Sequence, residues 1–138
     1  MRLELSNKVD LALRALAFLN RTGQSDGRSI ADEIGTSTHY LPQVLRPLIA
    51  EGWLVSTPGP GGGYRMVEPL ANITVLDAIH AIEGPTDTDQ CVLRGAPCPG
   101  QEECAIHSSW VRARSALLTE LDAIPLAAAL TSSPTKGE

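Results

Sequence analysis

SIADEIGTSTHYLPQVLRPLIAEGWLVSTPGPGGGYRMV, residues 29–67, decides the fold through two helical patterns and one run of turn residues. Ser29 offers a helix cap, Asp32 complements the helix start three residues on, and the apolar pattern from Ile30 to Ile34 stops at Gly35. After the step Gly35-Thr36-Ser37 a further helix is expected, capped by Ser37 and running to Glu51-Gly52. Leu41, Val44, Leu45 and Leu48 give that helix one buried side. Two short helices joined by a tight turn containing Gly form the helix-turn-helix pattern. Trp53-Leu54-Val55 then has strand character, Pro58 to Gly63 is a Gly/Pro turn, and Tyr64-Arg65-Met66-Val67 is a returning strand. A hairpin placed directly after a helix-turn-helix is a wing.

Outward from this stretch the chain reads as helices. Val9, Leu13, Leu16 and Leu19 mark a helix over Asn7 to about Thr22, followed by a polar loop through Gly27. Thr74 caps the next helix, with Asp77 at its third position and Val75, Ala78, Ile79 and Ile82 on its buried face, and Glu83-Gly84-Pro85 ends it. Residues 85–106 form an irregular loop. A long helix runs from about His107 to Ala123 with one stripe of Trp110, Ala113, Leu117, Leu121 and Ile124, and a second begun by Val111 and Leu118. Apolar residues on two sides imply a core face and a partner face. The fold class is therefore mainly α with a small β-hairpin wing: a winged helix-turn-helix with a long C-terminal dimerisation helix. Its parts are residues 1–84 for DNA binding, 85–106 for the loop, 107–130 for the dimerisation helix and its end, and 131–138 as a disordered tail.

The 138 residues allow one domain with one core. No apolar run approaches the roughly 20 residues that span a bilayer, and the N-terminus has no signal-peptide pattern. No membrane partner is expected, and the chain reads as cytoplasmic. The net charge of −5 argues against a simple basic nucleic-acid binder. Its distribution answers that objection: residues 1–67 hold seven Lys/Arg against six Asp/Glu, and residues 68–138 hold four against ten. Phosphate affinity must come from small groups of Arg.

Ser37, Thr38, His39 and Tyr40 open the second helix of the motif with side chains that hydrogen-bond, followed by Gln43 and Arg46. A recognition helix presents its N-terminal residues to base edges, where Gln pairs with adenine and Arg with guanine or phosphate. Gly61, Gly62 and Arg65 are the wing's candidates, and Arg65 is the wing's one cation. Pro42 and Pro47 both fall inside the expected helix, where each removes a backbone donor.

Three cysteines in 14 positions, Cys91-x6-Cys98-x5-Cys104-x2-His107, are an odd number and make no disulfide framework. Clustered thiols of this kind serve a metal, a cluster or redox chemistry. Thiolates bind iron strongly, three with one further N or O ligand complete a cluster site, and Cys3His also suits tetrahedral zinc. Gly95, Pro97, Pro99 and Gly100 let the loop bend around such a centre.

The chain resembles the bacterial winged-helix regulators that include IscR, NsrR and RirA. The likeness rests on Met1-Arg2-Leu3, Asp10 to Arg14, Ile30-Ala31-Asp32 through Ser37, Tyr40-Leu41, Gln43, Gly59-Pro60-Gly61-Gly62-Gly63-Tyr64 and Ile73-Thr74-Val75 through Ile82. It covers roughly residues 1–124. The resemblance implies a homodimer with crossing C-terminal helices, a double-stranded DNA operator, and an iron–sulfur cluster that governs operator binding. His107 matches a Cys-x2-His ending and favours a 2Fe–2S cluster; Asp10, supplied by the partner subunit, is the alternative fourth ligand and favours 4Fe–4S. Three departures stand out. Thr57-Pro58 replaces a wing Arg found in relatives, Pro42 replaces a polar helix former, and the first cysteine gap is one residue longer than the family's usual five.

Two other functions were open to this sequence: an interaction module that reuses the fold, zinc-stabilised or cluster-free, and an enzyme. The enzyme fares worst. No nucleophile–base pair with a third orienting group occurs, and Gly61-Gly62-Gly63 lies in a hairpin turn rather than before a helix.

Overall fold

Ser6 starts the helical part of the chain: its Oγ accepts the Val9 amide at 3.3 Å, and α1 runs over Asn7–Thr22. The computed structural model describes residues 2–86, 89–98 and 104–132. The remaining elements are β1 (Gln24–Ser25), α2 (Gly27–Ile34), α3 (Leu41–Ala50), β2 (Leu54–Thr57), β3 (Gly63–Met66), a 3-10 turn at Leu70–Asn72, α4 (Val75–Glu83), α5 (His107–Ala123) and α6 (Leu126–Ser132). The winged helix-turn-helix is present as expected, mainly helical around a small antiparallel sheet.

The core is one cluster. Leu11, Ala12, Ala15, Leu16 and Leu19 of α1 meet Ile30, Ala31 and Ile34 of α2, and Leu41, Val44, Leu45 and Leu48 of α3. Leu54 of β2, Ile73 ahead of α4, Ala78 of α4 and Leu126 of α6 close it. The buried side of α3 is the one its spacing gave. On α4 only Ala78 is fully buried; Val75, Ile79 and Ile82 are half-buried.

Helix boundaries differ from expectation where two polar residues compete for one cap. Asp26, rather than Ser29, caps α2: its carboxylate accepts the Ser29 amide at 2.8 Å and the Ser29 hydroxyl at 2.9 Å. The α2–α3 turn closes on a single carbonyl, that of Ala31, which accepts from the amides of Gly35 and Thr36. Gly35 sits in the left-handed region this closure needs. Ser37 caps a lead-in turn, with Oγ accepting the Tyr40 amide at 3.0 Å, and α3 itself begins at Leu41. Pro42 therefore lies in the first helical turn, where no N–H is required, and not in the interior. Pro47 is interior, and α3 continues past it to Ala50.

The polar loop before α2 contains a strand. The sheet order is β1-β3-β2, with Gln24 opposite Arg65 and Ser25 opposite Tyr64. The wing depends on glycine for space. A side chain on Gly62 would strike the Thr57 carbonyl, and one on Gly63 would strike that of Ser25.

The C-terminal end carries a further helix where the sequence placed the start of a tail. After α5 the chain crosses Ile73–Val75: the Val75 amide donates to the Ile124 carbonyl at 2.9 Å, and the Leu126 amide to the Ile73 carbonyl at 2.7 Å. Then α6 runs to Ser132, so Thr131 is helical, and residues 133–138 lie outside the described residues. Thr74 stands at the centre of this clasp. Its Oγ1 accepts the Asp77 amide at 3.0 Å and donates to Asp122 at 3.2 Å, while the Asp77 carboxylate accepts the Thr74 amide at 2.9 Å. Removing such a cap costs about 1 kcal/mol. Thr74→Ala should lower the urea midpoint accordingly, and Ser29→Ala, which removes no cap acceptor, should move it far less. Equal shifts for the two would contradict this assignment.

Candidate nucleic-acid interface and thiol cluster

The lead-in turn and α3 present one polar surface. Ser37, Thr38, His39, Gln43 and Arg46 are exposed, opposite the buried Leu41, Val44, Leu45 and Leu48. Tyr40 differs from the others because it is half-buried and packs against the core. In the wing, strand alternation puts Gln24, Arg65 and Val55 on one outer rung, all exposed. On the next rung Tyr64 turns inward onto the core. The wing tip is tied back to β1, since Gln24 Nε2 donates to the Gly61 carbonyl at 3.4 Å. The candidate DNA residues of α3 are thus exposed apart from Tyr40, and the wing's Arg65 is exposed on a strand paired with β1. That link was not legible beforehand.

The cysteines converge. The Sγ atoms of Cys91, Cys98 and Cys104 lie within 4.8 Å of one another, with Cys91 and Cys104 at 3.5 Å. Cys91 is buried at 7% exposure and opens a tight turn: Arg94 and Gly95 both donate to its carbonyl, and its amide donates to Ala96. That turn directs main-chain amides at the sulfur. The Leu93 amide is foremost in bringing the Cys91 thiol down to about 7, with help from the Arg94 amide and the two other thiols and opposition from burial. Cys104 moves the other way, because its thiol is held by Cys91, and the Ile106 amide only partly offsets this. The donor set fits a thiolate-bound metal or cluster: soft sulfur ligands whose N–H partners favour the deprotonated form. Pro99 and Gly100 lie outside the described residues.

Neither proposed fourth ligand joins the three sulfurs within one described chain. His107 stands in the first turn of α5; its amide donates to the Cys104 carbonyl at 3.0 Å, and it lines a small crevice together with Cys91, Ile106, Trp110 and Arg114. Asp10 lies half-buried on α1, in an open cleft with Asn7, Arg14 and Glu83. No residue of α5 is fully buried: Leu117 and Ile124 of the first stripe are 48% and 39% exposed, while Trp110, Leu121, Val111 and Leu118 are half-buried. Among the described residues no helix is long and apolar enough to cross a membrane.

The Rrf2 family, described as an iron-dependent transcriptional regulator, matches residues 5–132. The chain belongs to the Rrf2 family. This Rrf2 protein is similar to the HTH-type transcriptional regulator IscR of Klebsiella pneumoniae strain 342, at 31% identity over 111 residues, covering 78% of this chain and 68% of that one. IscR of Enterobacter sp. strain 638 matches to the same extent. Among solved structures it is similar to CymR (YrzC), the global cysteine regulator of B. subtilis, with a TM-score of 0.76 and 29% identity over 96% of this chain and 100% of that one. T. potens IscR gives 0.73 and 26%, over 96% of this chain and 89% of that one. The Rrf2 chain is accordingly a DNA-binding transcriptional regulator, a role that involves no catalysis.

The thiol environment makes a pH prediction. In reduced, metal-free protein a lowered Cys91 becomes thiolate as pH rises through about 7, whereas Cys104 keeps its proton beyond the ordinary thiol value of 9.0. Thiolate absorbance should rise in separate steps, and Cys91→Ala should delete the first. A single step at the ordinary value would contradict the N–H···S geometry.

Proposed function

We propose that this Rrf2 protein is a cytoplasmic homodimer whose affinity for a double-stranded DNA operator is set by an iron–sulfur cluster on Cys91, Cys98 and Cys104. The observation that carries the proposal is the convergence of the three Sγ atoms within 4.8 Å, with main-chain amides directed at two of them. The cluster would supply a centre responsive to redox state, nitric oxide or iron. His107 is the favoured fourth ligand, with a 2Fe–2S cluster; Asp10 of the partner subunit is the alternative, with 4Fe–4S.

The chain's own residues connect this site to DNA. Cys104 lies three residues before α5, whose far end is clasped to α4 at Thr74. A change in how the cysteines are held would therefore act on the placement of α5 against the winged-helix part. Such a change alters operator affinity only if DNA distinguishes the two placements. Ser37, Thr38, His39, Tyr40, Gln43 and Arg46 read the operator, with Gly61, Gly62 and Arg65 at its backbone. The likeness to CymR keeps a cluster-free regulator in play as a second reading, and zinc is the rival metal.

Anaerobic purification with iron and sulfide counts separates these readings, because zinc without sulfide, or no metal at all, would remove the cluster. Cys98→Ala should abolish the chromophore and change operator affinity about tenfold, ~1.4 kcal/mol of coupling, while the protein stays folded. Loss of the chromophore with unchanged affinity would separate cluster binding from sensing. His107→Ala and Asp10→Ala then identify the fourth ligand, since the true one should make the cluster labile. For the DNA surface, Gln43→Ala should lose about 1–3 kcal/mol on the cognate site and much less on random DNA. Equal losses on both would take Gln43 out of the base-reading set.

A further inference from the structure

The winged-helix half has seven basic side chains, and the structure divides them by whether they are already engaged. Arg2 pairs with Glu4, Arg21 pairs with Glu33 at 3.2 Å, and Arg14 donates to the Glu33 carbonyl at 3.5 Å. Among the described residues, Lys8, Arg28, Arg46 and Arg65 make no hydrogen bond or ion pair through their side chains. Arg46 and Arg65 belong to the surface already described. Arg28 was not singled out by the sequence, because one Arg in a polar loop has no distinguishing pattern.

Its position gives it meaning. Arg28 is the second residue of α2 and is exposed. The residue before it, Gly27, is seated against two elements: a Cβ there would lie 3.6 Å from Leu41 Cδ2 and 3.6 Å from Tyr64 Cε2. The start of α2 is thus held between the first residue of α3 and the inward ring of the wing. Two carboxylates are near in sequence. Asp26 is committed to the Ser29 amide and hydroxyl, and Asp32, four residues on, makes no ion pair with Arg28. The wing turn itself, Pro58 to Gly62, contains no cation. In a chain of net charge −5, the guanidinium left open at the junction of α2, α3 and wing is therefore a large part of what the surface can offer a phosphate.

We propose that Arg28 grips the operator backbone at the junction of α2, α3 and the wing, supplying the cation that the wing turn lacks. The proposal rests on the DNA-binding surface described above, and it adds a residue whose role is sequence-independent. A guanidinium is suited to it because its planar fork meets two phosphate oxygens at once.

The test is a salt series with purified protein on its cognate operator and on a random duplex of equal length. Arg28→Gln should weaken both by the same factor and flatten the plot of log affinity against log salt by about one per protomer, while Arg28→Lys should keep most of the slope. Arg21→Gln changes net charge equally but removes a guanidinium engaged by Glu33, so its slope should match wild type. Far-ultraviolet circular dichroism checks that each variant is folded. An unchanged slope in Arg28→Gln, or a loss confined to the cognate site, overturns the phosphate role. Wild-type protein that binds neither duplex overturns the whole DNA surface, an outcome distinct from failure of Arg28 alone.

Discussion

The structure depends on the clasp between residues 73–75 and 124–126. There α5, which buries no residue of its own, is fastened to the winged-helix part. Two main-chain hydrogen bonds cross it, the Thr74 hydroxyl adds a third link to Asp122, and Leu126 is fully buried just beyond. Without this joint, α4 and α5 would meet only through partly covered side chains. With it, the 17 residues of α5 make a rod of about 25 Å anchored at its C-terminal end, with the cysteines at the other. The anchored end fixes a direction, and the other end meets the Cys91 segment.

The cysteine site has a similar economy. Cys91 and Cys104 each sit in a tight turn with main-chain amides facing sulfur, so backbone geometry would prepare the proposed site for a metal. Cys104 is also the last residue but two before α5, and its carbonyl receives the His107 amide that starts the helix. Side-chain chemistry and helix initiation therefore share a single turn. A change in one is felt by the other over three residues, without any long chain of intermediates.

Much of this was legible in the sequence, for particular physical reasons. The spacing of Leu41, Val44, Leu45 and Leu48 has one solution as a buried helix face, and Thr74 with Asp77 makes a capping box that can close only one way. The bounds of α5 were also clear. What escaped detection carries little side-chain signal. Gln24-Ser25 becomes a strand because β3 offers backbone partners, not because its residues alternate. Asp26 and Ser29 are both good caps, and only geometry chooses between them. α6 was not separated from the end of the long helix; the Pro125 carbonyl, which Ala128 and Ala129 bond to, starts it. The converging cysteines were visible as a spacing; the amides that point at them belong to Leu93, Arg94 and Ile106, whose side chains announce nothing.

The exposed Leu117 and Ile124 of the first stripe along α5 have a consequence for abundance. A helix draws most of its stability from packing rather than from propensity, and the clasp secures the C-terminal end of this one. Its order near the cysteines would then depend on a partner surface that covers Leu117, if one is present. By mass action the cysteine turn would tighten as the covering surface becomes more plentiful and loosen as it is diluted. Were that surface a second copy of the chain, as in the proposed homodimer, the number of regulator molecules in a cell would enter the proposed response directly.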